Sequence, residues 1–88
     1  MSKARTKRPA NVIGAQVKKL RLQLGLTQEA LAARCQVAGL DLSRGTLSHV
    51  EARLRRVTDS ELFLLASILK VSMEDLFPPE MKKKPREK

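Results

Sequence analysis

Apolar positions in this chain recur mostly at three- and four-residue intervals, the spacing of amphipathic helices, and no segment reads as a strand. Ile13, Val17, Leu20 and Leu24 mark one face of a first helix, which Asn11 can cap and Gly25 stops. Leu31, Cys35 and Ala38 mark a second over 27–37, opened by Thr27 and closed by Gly39, with Ala30, Ala32 and Ala33 leaving room for a close neighbour. In the third, Ser43 is the candidate cap and Leu47, Val50 and Leu54 form the stripe. Thr58 and Glu61 have capping-box spacing ahead of a fourth helix, which is apolar nearly all round and therefore expected at the centre of the domain. Ser72 opens a short fifth turn with Met73, Leu76 and Phe77, and Pro78-Pro79 ends it. In the link after the second helix, Leu40 and Leu42 are expected to turn inward and Asp41 outward or onto the turn.

The pattern predicts an all-α, five-helix fold, and 88 residues suffice for one core. That core must be aliphatic, because Trp and Tyr are absent and only two Phe occur. The organisation expected is a flexible basic arm over 1–10, a helical domain over 11–78 and a flexible basic tail over 79–88.

Charge adds a partner class. The net charge of +9 sits mostly at the ends: residues 1–9 hold four basic side chains and no acid, and residues 80–88 hold five against two acids. Such ends suit a polyanion, or are simply solvated termini. The one cysteine, Cys35, excludes an internal disulfide and a thiolate-rich metal site built by one chain, and reads as a small core residue. With one His, one Cys and no paired acids beyond Glu74-Asp75, neither catalysis nor a metal or other cofactor is expected. No apolar run is long enough for a membrane span, and the basic start lacks a signal peptide's apolar stretch, so a soluble, cytoplasmic protein is expected.

Two features break local rules. Arg44 lies in the first turn of the third helix, where the helix dipole disfavours a cation by roughly 0.3–1 kcal/mol. Gly45 follows, costing about 1 kcal/mol relative to alanine within a helix but admitting a close partner. Rules broken together mark a functional surface. Separately, Arg21 and Glu51 flank the buried stripes of the first and third helices. They either pair in a partly buried site or remain two solvated charges.

With the helices placed, residues 11–77 resemble the lambda repressor-like, Xre-type helix-turn-helix domains. The resemblance rests on LRLQLGLTQEALA at 20–32, GTLSHVEA at 45–52 and LASILKVSMEDLF at 65–77. It implies sequence-specific binding of double-stranded DNA by a small prokaryotic or phage-type transcriptional regulator, nucleoid-associated, with the helix at about 44–52 in the major groove. On that resemblance Arg44, Gly45, Thr46 and His49 take base-contacting positions, Gln28 and Ser43 contact the backbone, and Arg21 with Glu51 matches the family's ion pair. Arg44 can fork onto guanine O6 and N7. Gly45 provides clearance; Thr46 and Ser48 meet phosphates or base edges; His49 meets a base or phosphate, or stands merely exposed. Arg53, Arg55 and Arg56 meet the sugar-phosphate backbone.

The chain departs from the family pattern at two places. The link at 36–42 is elongated and must bulge or extend the preceding helix, and Arg53 stands where many members close the recognition helix with glycine, which implies a left-handed arginine or a different exit. A lone domain covers half a site, so a homodimer is expected at least on DNA, with contacts from the last short helix around Leu76, Phe77 and Met81. The alternative is a protein-interaction module or antitoxin-like partner that keeps the fold but reads protein.

Overall fold

The computed structural model describes residues 8–82. Of the expected arm over 1–10 and tail over 79–88, residues 1–7 and 83–88 lie outside the described residues. Within them the chain is helical and contains no strand: α1 Gly14–Gln23, α2 Gln28–Val37, α3 Arg44–Glu51, α4 Asp59–Leu69, a 3-10 helix Met73–Leu76, and a short closing turn, α5 Pro79–Lys82. The proline pair does not end helical structure, since Pro79 begins α5, a first-turn position where its missing N–H leaves no bond unmade.

Four hydroxyl side chains set the starts. Thr27, Ser43, Thr58 and Ser72 each accept from the backbone N–H three residues on. Thr58–Glu61 and Ser72–Asp75 complete reciprocal capping boxes. Asn11 caps α1 from further upstream than a simple reading places it: its Oδ1 accepts from the N–H groups of Ile13 (3.0 Å) and Gly14 (2.8 Å), so the helix begins at Gly14.

Left-handed residues set several of the stops. Gly25 (φ 73°) closes α1 and Gly39 (φ 85°) closes α2, whereas Arg53 (φ 64°) and Lys70 (φ 64°) take the same conformation after α3 and α4 without glycine's freedom. These closures explain where periodicity overran. Leu24 and Leu54 continue the apolar stripes in sequence, but both are exposed, Leu54 at 70%, because α1 and α3 end before reaching them. Leu54 N–H bonds back to the His49 carbonyl at 2.8 Å, which turns its side chain away from the core. Ala38, beyond the end of α2, is exposed too.

α3 packs against α1 and α2, while α4 packs against α2 and the 3-10 helix, which also reaches α1. The core between them is aliphatic: Val17, Leu31, Leu42, Leu47, Leu65 and Leu76 are fully enclosed. α4 is not central. Leu65, Ala66 and Leu69 are buried, but Phe63 on the opposite side is 60% exposed, so the helix presents one face to the core and another outward.

The link between α2 and α3 does not extend α2. The helix ends at Val37, Leu40 N–H bonds to the Cys35 carbonyl at 2.8 Å, and Leu40 and Leu42 drop into the core while Asp41 points out. Cys35 is itself buried, and that burial pushes its thiol pKa up, away from reactivity.

Gly14 allows the tightest approach. A Cβ there would overlap the carbonyl oxygens of Val50 and Glu51 and the side chain of Arg53, so only glycine lets α1 lie this close to the end of α3. No periodicity argument singles it out.

Candidate nucleic-acid interface

α3 has two unlike faces. Leu47, Val50 and Glu51 are buried, whereas Arg44, Gly45, His49 and Ala52 are exposed and Ser48 half-buried between them, forming one outward stripe along the helix. Ser43 Oγ accepts from Thr46 N–H at 3.2 Å and lies 3.0 Å from Thr46 Oγ1, so both hydroxyls sit at the helix start and are already engaged with each other.

Arg44 is exposed and, among the described residues, has no hydrogen bond or ion pair. Nothing in the fold offsets its unfavourable place at the positive end of the helix. Gly45 is equally unexplained by the fold. Its φ is not positive, and an added Cβ would meet nothing nearer than Ser43 Oγ at 4.0 Å. The contrast with Gly14 is informative, since one glycine is demanded by internal packing and the other is not.

α3 is held from beneath by a buried polar cluster. Arg21 Nε lies 2.7 Å from Glu51 Oε2 and its Nη2 3.0 Å from Oε1, with both side chains under a tenth exposed. Arg21 Nη1 also donates to the Leu26 carbonyl at 2.8 Å, and Gln28 Nε2 donates to Glu51 Oε1 at 3.0 Å. Every charge is therefore paired and multiply bonded, the condition under which burial is tolerated. Gln28 thus spans from this cluster toward the surface at the start of α2, with one amide hydrogen engaged and one left for an external acceptor.

The three arginines after α3 have different surroundings. Arg53 is exposed, its stem lying over Gly14. Arg56 is exposed as well. Arg55 is instead drawn to α4: its Nη1 and Nη2 fork onto Glu61 Oε1 and Oε2, both at 2.9 Å, and Nη1 also reaches the Arg56 carbonyl at 2.8 Å. The bond from Arg55 holds the Glu61 carboxyl below its ordinary pKa, and the Thr58 N–H contributes in the same direction. Arg55 is therefore a brace for the loop, and of these three arginines Arg53 and Arg56 are the two without a carboxylate partner among the described residues.

Asn11 has a second role that local sequence does not reveal. Its Nδ2 donates to the carbonyls of Val50 (3.1 Å) and Arg55 (2.7 Å), tying the start of α1 to the exit of α3. A polar residue two positions ahead of the N-cap, Ile13, is the one local signal. Among the described residues no group of three or more His, Cys, Asp or Glu is placed to hold a metal ion. No helix there is long and apolar enough to cross a membrane.

Residues 17–76 match the family HTH_3, described as helix-turn-helix. No curated protein matches the chain. Among solved structures, the restriction-modification controller protein C.AhdI from Aeromonas hydrophila is 32% identical over 74% of this chain and 87% of its own, with a TM-score of 0.63. A hypothetical transcription factor from Neisseria, NHTF, is 25% identical over 92% of this chain and 95% of its own, with a TM-score of 0.67. The DNA-binding domain of BldD, at 24% identity, covers 84% of this chain and all (100%) of its own with a TM-score of 0.67, a likeness of fold.

Proposed function

This chain belongs to the helix-turn-helix family HTH_3, of lambda repressor-like type, and from that premise we propose that it is a small transcriptional regulator that binds double-stranded DNA sequence-specifically through the outward face of α3. The observation that carries the reading is the pair Arg44–Gly45: an unpartnered cation and a glycine, both unfavourable in a helix and neither used by the fold.

In this reading Arg44 reads guanine and Gly45 lets the helix sit close to the base edges. Ser48 and His49, one turn further on, contact bases or the adjoining backbone. Ser43, Thr46 and the remaining amide hydrogen of Gln28 meet phosphates at the mouth of the groove, and Arg53 and Arg56 meet them at the exit. Arg55 acts through Glu61 by holding that exit in place.

One such domain covers a half-site, so two copies act on a two-fold symmetric site. Leu76 takes no part in their contact, being wholly enclosed. Phe63, Met73 and Met81, exposed at 60%, 40% and 57%, are the apolar side chains available near the end of the domain.

The test is titration of the full chain into duplex DNA of random sequence at several salt concentrations. Retarded complexes whose affinity falls with salt are expected. No duplex binding at low salt, with the chain folded, would overturn the proposal in favour of a module that reads protein.

A further inference from the structure

We propose that Asn11 is a positioning residue for duplex binding, its side-chain amide holding the turn after α3 from which Arg53 and Arg56 meet phosphates. The inference rests on the duplex-binding reading above and adds to it a residue that itself touches no DNA.

The Asn11 side chain has two separable parts. Its Oδ1 accepts from the Ile13 and Gly14 N–H groups and caps α1. Its Nδ2 donates to the carbonyl of Val50 at 3.1 Å and to that of Arg55 at 2.7 Å, on either side of Arg53. The cap needs only an oxygen, which serine or threonine also supplies. The two donated bonds need the amide, and they serve the exit of α3 rather than α1.

The turn so held is one that local chemistry does not favour. Arg53 has a left-handed backbone (φ 64°), which a residue with a Cβ adopts at a cost. Such conformations persist where surrounding contacts over-determine them. Here the contacts converge from the start of α1. Ala10 N–H donates to the Arg53 carbonyl at 3.0 Å, Asn11 bonds the carbonyls of Val50 and Arg55, and the Arg53 stem lies over Gly14, where a Cβ would stand 2.8 Å from its Cγ. Within the turn, Arg53 N–H returns to the Val50 carbonyl at 3.0 Å and Leu54 N–H to that of His49 at 2.8 Å. The Arg55 carbonyl belongs to the same planar peptide unit as the Arg56 N–H, so the Asn11 bond orients the base of Arg56 as well.

Arg53 and Arg56 are exposed and have no carboxylate partner among the described residues. Asp59, which lines a hollow with Asn11 and Val57, pairs with neither. With that acid close by, net charge alone does not mark the turn as a phosphate site. Pre-organisation does: an arginine on a fixed backbone has less freedom to lose when it meets a phosphate. Asn11 supplies that fixity from 39 and 44 residues away.

The experiment compares wild type with Asn11→Ser and Asn11→Thr, which keep a capping oxygen and lose the amide donors, with Arg53→Gln/Arg56→Gln, and with Asn11→Ser added to that double-Gln background. Affinity of the full chain for a random-sequence duplex is measured against salt, well below each protein's thermal midpoint. Arg53→Gln/Arg56→Gln is expected to lower the slope of log affinity against log salt by about 0.9 for each of its two contacts. The Asn11 variants are expected to lose roughly 1–2 of the same slope, to keep the sequence preference of wild type, and to lose no more in the double-Gln background. A merely structural role would lower the midpoint and leave the slope of the folded protein unmoved. Wild-type slope in the folded Asn11 variants or in Arg53→Gln/Arg56→Gln, or an undiminished further loss in the double-Gln background, overturns this inference and leaves the function of α3 standing. Midpoints so low that neither Asn11 variant folds make Asn11 a folding residue and overturn it as well. Absence of duplex binding by the folded full chain at low salt overturns both readings together.

Discussion

Arg21 and Glu51 meet end to end inside the domain, Nε to Oε2 at 2.7 Å and Nη2 to Oε1 at 3.0 Å, thirty residues apart in sequence. Glu51 is the last residue of α3, so the bridge fixes α3 against α1. Gln28 joins the same carboxylate from the start of α2 at 3.0 Å. The helices that present the candidate DNA surface are thus registered to one another by a polar joint, set beside the aliphatic core.

Removing one member of this joint leaves the other buried and unpaired. Arg21→Ala or Glu51→Ala is expected to destabilise by about 3–5 kcal/mol, against under about 1 kcal/mol for a solvated pair. At about 4–8 °C per kcal/mol for a domain of this size, thermal midpoints fall by 12 °C or more. Midpoints within a few degrees of wild type would contradict the role assigned to the pair.

Gly14 and Gly45 should behave oppositely on substitution. Gly14→Ala forces a Cβ into the Val50 and Glu51 carbonyls and is expected to destabilise by about 1–3 kcal/mol, the usual range for overpacking. Gly45→Ala meets nothing and should stabilise α3 by up to about 1 kcal/mol, the helix-propensity difference. If Gly45 provides clearance for DNA, that more stable variant binds duplex more weakly. Denaturant unfolding and DNA affinity measured on the same samples check both halves; tighter binding by Gly45→Ala would remove the clearance role.

Arg55 and Glu61 give the loop after α3 a pH dependence. The Glu61 pKa is lowered in the folded protein, chiefly by the bond from Arg55, so its contribution is present above the ordinary glutamate value of about 4.3 and is lost as pH falls through the lower folded value. The Arg55 side chain is 32% exposed, which limits the contribution to about 1 kcal/mol or less after solvent screening. Glu61→Gln should therefore be less stable than wild type at pH 7, with the gap closing in acid. A gap that stays constant from pH 7 to pH 3 would contradict the assignment.

What was legible in the sequence was mostly local. The hydroxyl caps at Thr27, Ser43, Thr58 and Ser72 act within three residues, and Gly25 and Gly39 announce their turns by residue type. Lys70 closes α4 in the left-handed region with no such signal. Leu24 and Leu54 continue a helical rhythm past the point where the backbone stops following it. The charges at 21 and 51 were conspicuous because they stand beside apolar stripes. By contrast, the Asn11 amide finds its carbonyl partners 39 and 44 residues away, and nothing local foretells them. Similarly, three arginines in four positions look alike until Glu61 selects one of them.

The central claim, that the outward face of α3 reads DNA, is tested most directly by selecting binding sites from random duplexes with wild type and with Arg44→Ala. The account predicts a defined site for wild type and relaxed preference at particular base pairs for Arg44→Ala, each worth about 1–3 kcal/mol of discrimination. The same preferences in both proteins, or no enrichment by folded wild type, would contradict it.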